Sequence, residues 1–135
     1  MEVITTHINA DFDCLGSMIA AKRLYPDAVM VFPGGQGRSL REFFLRSVQY
    51  VFGFKRARDI DLDEVTRLIL VDVRNASRIG PFGVIANRPG VDIHIYDHHP
   101  AKDHDLNGSL EHVEAVGSTV TVFSHLFMEQ ELELT

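Results

Sequence analysis

Apolar residues in this chain come in short blocks that alternate between two periods. Val3-Ile4-Thr5-Thr6 is an apolar run of strand character, and after it Leu15, Met18, Ile19 and Leu24 recur near 3.6 residues until Pro26. Ala28-Val29-Met30-Val31-Phe32 is a second strand-like run, followed by a loop by composition, Pro33-Gly34-Gly35-Gln36-Gly37. Over residues 39–52, Leu40, Phe43, Phe44, Val48 and Val51 form one apolar helical face. Ser39 and Glu42 are spaced as a capping box there, and Gly53 is the stop. Asp61-Leu62-Asp63-Glu64-Val65 reads as a turn or helical stub. Arg67-Leu68-Ile69-Leu70-Val71-Asp72 is continuous apolar sequence ending on a carboxylate, the pattern of a strand covered on both faces in a parallel sheet. Residues 77–87 carry a weak helical pattern limited by Pro81 and Gly83. Val91-Asp92-Ile93-His94-Ile95-Tyr96 predicts a further strand and residues 109–116 a last short one. A final helix opens at Gly117-Ser118-Thr119 and runs to about Glu133. Strands alternating with helices predict an α/β domain over residues 1–135: a mostly parallel sheet of about five strands with helices on both faces.

Composition changes this picture little. The chain has 135 residues, enough for one domain with a real core, and 45% hydrophobic against 24% charged residues is ordinary for a globular protein. No apolar run approaches the roughly 20 residues of a membrane helix. The N-terminus lacks the order of a signal peptide, and the single cysteine cannot form an internal disulfide, so a cytoplasmic protein that does not enter membranes is expected. A net charge of −6 weighs against nonspecific nucleic-acid binding. That average hides a basic stretch: Arg38, Arg41, Arg46, Lys55, Arg56 and Arg58 lie close together, opposed there only by Glu42. A solvated helix face and a surface for a nucleic-acid backbone both fit it. The glycines at 34, 35 and 37 are not followed by the lysine and hydroxyl of a phosphate-binding loop, so a plain turn is expected.

The chemistry sits at three strand ends: His7 to Asp13, Asp72, and Asp97 to His99. In open parallel sheets ligands bind beyond the carboxyl ends of the strands, so residues distant in sequence can share one crevice. Two carboxylates about 4 Å apart repel by roughly 4 kcal/mol at an effective dielectric near 20. A helix N-terminus offsets only about 0.5–1 kcal/mol per charge. A divalent cation would offset it fully, and aspartates with histidines are an oxygen and imidazole ligand set. Each element also has a plain alternative. Asp72 could cap a turn, His98 and His99 could be surface residues, and Asp11 and Asp13 could form Asx turns.

His7-x-Asn9-x-Asp11-x-Asp13, the strand-end Asp72, Asp97-His98-His99-Pro100 and Gly117-Ser118-Thr119 resemble, in order and spacing, the DHH phosphoesterase superfamily of RecJ-type nucleases, small-oligonucleotide exonucleases and family II pyrophosphatases. The resemblance covers essentially the whole chain. It implies two Mn²⁺ or Mg²⁺ ions, one held by His7, Asp11 and Asp72, the other by Asp13, Asp72 and His98, with Asp72 bridging. It also implies hydrolysis of phosphodiester bonds in short oligonucleotides, single-stranded nucleic acid or dinucleotides by a water that the two metals activate. His99 would bind phosphate or move a proton, Asp97 would orient a histidine, and the helix start at Gly117, Ser118 and Thr119 would add donors to a bound anion.

The family's further metal-binding aspartate and its second, substrate-binding domain have no counterpart before Thr135. The expectation is therefore a domain that works with further domains of the same chain, as in long proteins carrying CBS modules and a poly(A)-polymerase-like or tRNA nucleotidyltransferase module. On its own it would have an impaired second metal site and little activity. The alternatives are a non-catalytic docking or RNA-binding module of such an RNA-processing protein, and an inorganic pyrophosphatase.

Overall fold

Side chains alternate along each strand, and that alternation divides the core in two. The structure, a computed structural model, describes residues 1–8, 10–34, 47 and 50–134. Six strands are seen: β1 (Glu2–Thr5), β2 (Val29–Phe32), β3 (Lys55–Arg56), β4 (Arg67–Val71), β5 (Asp92–Asp97) and β6 (Leu110–Val113). All pairings are parallel, and the order across the sheet is β3-β2-β1-β4-β5-β6. β1 pairs with both β2 and β4. The chain therefore winds outward on one side through β3, then returns to build the other side from β4. The carboxyl ends of β1 and β4 flank the point where the order reverses, which is where doubly wound sheets leave a crevice.

One face carries Ile4, Met30, Phe32, Ile69, Val71 and Tyr96. It is covered by two helices, α1 (Phe12–Leu24) and α2 (Thr119–Leu134). They cross closely: a Cβ built on Gly16 would lie 3.5 Å from Val120. Stacking of Phe123 on Tyr96, with ring centroids 4.8 Å apart, ties α2 to β5. The opposite face carries Val3, Val31, Leu68, Leu70, Ile93 and Ile95, and here short 3-10 helices and their flanks supply Ile60, Val65, Ile79, Phe82 and Ile85.

Two elements differ from expectation. The weak helix over residues 77–87 is instead a pair of 3-10 segments, Ala76–Arg78 and Gly80–Val84. Gly80, Pro81 and Gly83 prevent an α-helical ladder, while Ile79, Phe82 and Ile85 are still drawn fully into the core. A sixth strand, the two-residue β3, closes one sheet edge. Its lysine and arginine are exposed, and charged, very short edges give no apolar signal in sequence. The helix expected over residues 39–52 lies mostly outside the described residues, as do Asn9, Arg38, Arg41 and Arg46. Residues 50–52 are helical, and Gly53 turns the chain at φ +74°. Among the described residues no helix is long and apolar enough to cross a membrane.

Candidate metal centre

Two threonines pin the end of β1 to its neighbours. The Thr5 hydroxyl donates to the Val31 carbonyl and the Thr6 hydroxyl to the Val71 carbonyl, each at 2.7 Å and buried. Beyond them Ile8 N–H donates to the Arg78 carbonyl at 2.7 Å. His7 is thereby held beside the residue that follows β4. That residue, Asp72, has a φ of +62°, a left-handed conformation that few non-glycine residues adopt and that aspartate tolerates better than most. Its N–H remains in the sheet, donating to the Tyr96 carbonyl at 2.9 Å.

The Asp72 carboxylate is the hub. Oδ2 lies 3.1 Å from His7 Nε2 and 3.3 Å from Cys14 Sγ, and Oδ1 lies 2.9 Å from His98 Nε2 and 3.2 Å from Thr119 Oγ1. The other ring nitrogens face backbone carbonyls: His7 Nδ1 donates to Ile8 O at 2.8 Å and His98 Nδ1 to Val116 O at 3.1 Å. A carbonyl only accepts, so both Nδ1 atoms carry hydrogen and each neutral ring presents its Nε2 lone pair to the carboxylate. Lone pair would then face lone pair twice, unless a second ring proton or a cation lies between. Metal-ligating histidines are held in this tautomer by this kind of contact, so the residues fit a divalent ion.

With a proton in that place, the Asp72 hydrogen bond, helped by Cys14, pushes His7 up to about 10 despite partial burial. Burial pushes Asp72 up, but its hydrogen bonds to His7 and Cys14, with nearby histidine charge, outweigh this and hold it at about 2. Burial likewise pushes the Cys14 thiol up, against the pull of His7.

Asp97 is buried and fully engaged. Oδ1 accepts from His98 N–H at 2.8 Å and from His99 Nδ1 at 2.7 Å, and Oδ2 pairs with Arg74 Nε at 3.2 Å. It orients the His99 ring and fixes the His98 main chain. His99, half exposed, keeps its Nε2 free of this contact, and the two imidazole centroids are 4.0 Å apart. One donor atom each of Asp72, Asp97, His98 and His99 lies within 4.8 Å of the others, and the same holds for His7, Cys14 and Asp72.

Other expected residues stand further out. Asp11 is the N-cap of α1, its Oδ1 accepting from Cys14 N–H at 3.0 Å, and Asp13 is exposed in the first turn. Neither belongs to the two tight groups. Ser118 caps α2 through Thr121 N–H at 3.3 Å, Thr119 faces Asp72, and Gly117 is exposed.

Three neighbours of the site escaped the sequence reading. Cys14 and the side chain of Arg74 are buried against Asp72 and Asp97 respectively, and Arg74 Nη2 also donates to the His99 carbonyl at 3.0 Å. A buried carboxylate needs a cation, so Asp97 directly after an apolar strand was the available signal for Arg74. Arg78 lines a cleft of about 130 Å³ with Asn75, Lys102 and His99.

Comparison with known proteins shows what the chain is similar to. The chain is 52% identical over its whole length to the A-adding tRNA nucleotidyltransferase of Geobacter sulfurreducens, of which it spans only 15%. Its fold is similar to the crystal structure of an exopolyphosphatase-related protein from Bacteroides fragilis, with a TM-score of 0.63 and 16% identity over 95% of this chain and 39% of that one. The model of the DHH family, N-terminal domain, matches residues 2–135, so the chain belongs to the DHH family.

Proposed function

We propose that this domain is a divalent-metal-dependent phosphoesterase unit, acting on phosphodiester bonds of short oligonucleotides, single-stranded nucleic acid or dinucleotides. The observation that supports it most is the Asp72 carboxylate set between two Nε2 atoms whose rings are locked by backbone carbonyls. In this reading His7, Asp11 and Asp72 hold one Mn²⁺ or Mg²⁺, and Asp13, Asp72 and His98 hold the other. When bound, such ions lower the pKa of water and stabilise charge on phosphoryl oxygens.

The protein's own groups do the rest. Asp97, fixed by Arg74, keeps a hydrogen on His99 Nδ1, which leaves Nε2 to bind a phosphoryl oxygen or pass a proton to the leaving oxygen. Arg78 and Lys102 beside His99 supply positive charge for a neighbouring phosphate of the substrate. Thr119 steadies the Asp72 oxygen that faces His98.

The relative's name favours one other reading, a docking or RNA-binding module that serves a nucleotidyltransferase in a longer protein. The two separate on one assay. The intact protein with Mn²⁺ is expected to hydrolyse short 5′-labelled oligonucleotides, and Asp72→Asn to lose at least about 100-fold, because metal charge stabilisation is worth several kcal/mol. Equal turnover in both proteins, or none in either, would favour docking.

A further inference from the structure

The residue the sequence reading passed over, Cys14, stands at the third helical position of α1, and its sulfur reaches the hub of the site. Sγ is 3.1 Å from His7 Nε2 and 3.3 Å from Asp72 Oδ2, and those two atoms are 3.1 Å apart. The three donors thus form a nearly equilateral triangle. With metal–sulfur bonds of about 2.3 Å and metal–nitrogen or –oxygen bonds of about 2.0–2.2 Å, neighbouring donors on one ion lie about 3 Å apart at right angles and about 3.5 Å apart at tetrahedral angles. The triangle falls within that range on every edge.

Its surroundings point the same way. Cys14 is fully buried, so its sulfur is shielded from solvent and fixed by packing of α1 on the sheet. Asp11, a ligand in the sequence reading, uses Oδ1 to cap Cys14 N–H and so fixes the turn that aims the sulfur. His7 Nδ1 is tied to Ile8 O, which leaves Nε2 as the nitrogen donor.

We propose that Cys14 is a further donor to the divalent cation held by His7 and Asp72, and that its sulfur biases this centre towards thiophilic ions such as Zn²⁺, Co²⁺ and Cd²⁺ over Mg²⁺. The inference rests on the reading of this site as a metal centre and adds the ligand that sets its preference. On binding, the S–H bond breaks, sulfur donates its electron pair to the ion, and the proton leaves to solvent.

Cobalt(II) titrated into the intact protein tests it without any substrate. These 135 residues contain one cysteine, so within this domain a thiolate-to-cobalt charge-transfer band in the near ultraviolet would come from Cys14, and its loss on substitution of Cys14 assigns it. The expected result is that band in the wild type and its absence in Cys14→Ser and Cys14→Ala. Both variants would keep the visible ligand-field bands of bound cobalt and lose roughly 10- to 100-fold in Cd²⁺ affinity, with a smaller loss in Mn²⁺ affinity. Cobalt bound to the wild type with ligand-field bands alone would overturn the proposal, as would Cd²⁺ affinity unchanged in Cys14→Ser. Either result leaves phosphodiester hydrolysis with Mn²⁺ intact, so the two readings fail separately. If one variant does not fold, the other decides, and a wild-type spectrum without the band overturns the proposal by itself.

Discussion

At the scale of single residues, the site is defined by what stands between Asp72 and its two histidines. With no metal, the partner of Asp72 is the protonated His7 ring. His7 has a folded value of about 10 against an ordinary 6.5, so the stability it adds is complete below 6.5 and is lost as pH rises through 10. Asp72, lowered to about 2 from 3.8, contributes stability above 3.8 that is lost as pH falls through 2. The metal-free protein is therefore expected to weaken between pH 6.5 and 10 in chemical denaturation, a slope that Asp72→Asn removes. A cation must displace the His7 proton, so apparent metal affinity should rise at least about tenfold per pH unit over the same window. A pH-independent affinity there would mean that the ion does not use His7.

At the scale of elements, the joints matter as much as the strands. Gly80 has a φ of +56°, and a Cβ there would sit 2.5 Å from the Pro33 carbonyl oxygen, a backbone atom with nowhere to move. This contact sets the Ala76–Arg78 segment, whose last carbonyl holds Ile8 and so the His7 loop. Gly80→Ala is expected to lower unfolding free energy by roughly 1–3 kcal/mol from backbone strain alone, seen as a lower denaturation midpoint. An unchanged midpoint would contradict the close approach.

The central strands were legible in sequence because they are continuous apolar runs or period-two patterns: β1, β2, β4 and β5 stand within one residue of expectation, and β6 falls inside its expected span but ends three residues earlier. β3 was not, because two exposed charged residues leave no pattern. The 3-10 segments were misread as a weak helix because Ile79, Phe82 and Ile85 repeat at three residues, close to the helical period. Within the site, residues at strand ends stood out because a carboxylate or imidazole interrupts apolar sequence. Cys14 did not, since a small buried residue on an apolar helix face is the ordinary packing choice. Arg74 was missed because its partner, Asp97, is distant in sequence and is brought near only by β4 pairing with β5.

At the scale of the whole molecule, the order of strands does the assembling. β1 and β4 are separated by more than sixty residues of sequence yet lie side by side, because the winding reverses between them. Their carboxyl ends bring His7 and Asp72 together, and β5, next in the sheet, adds Asp97, His98 and His99. The Thr5 and Thr6 hydroxyls and the Arg78 and Val116 carbonyls then fix the hub, and α1 and α2 close one side with Cys14 and Thr119. The measurement that tests this most directly is anomalous diffraction from crystals of the intact protein grown with Mn²⁺. The account predicts an anomalous peak at coordination distance from a carboxylate oxygen of Asp72 and from Nε2 of His7 or His98. A peak elsewhere in the molecule, with Asp72 still bonded directly to both imidazoles, would contradict it.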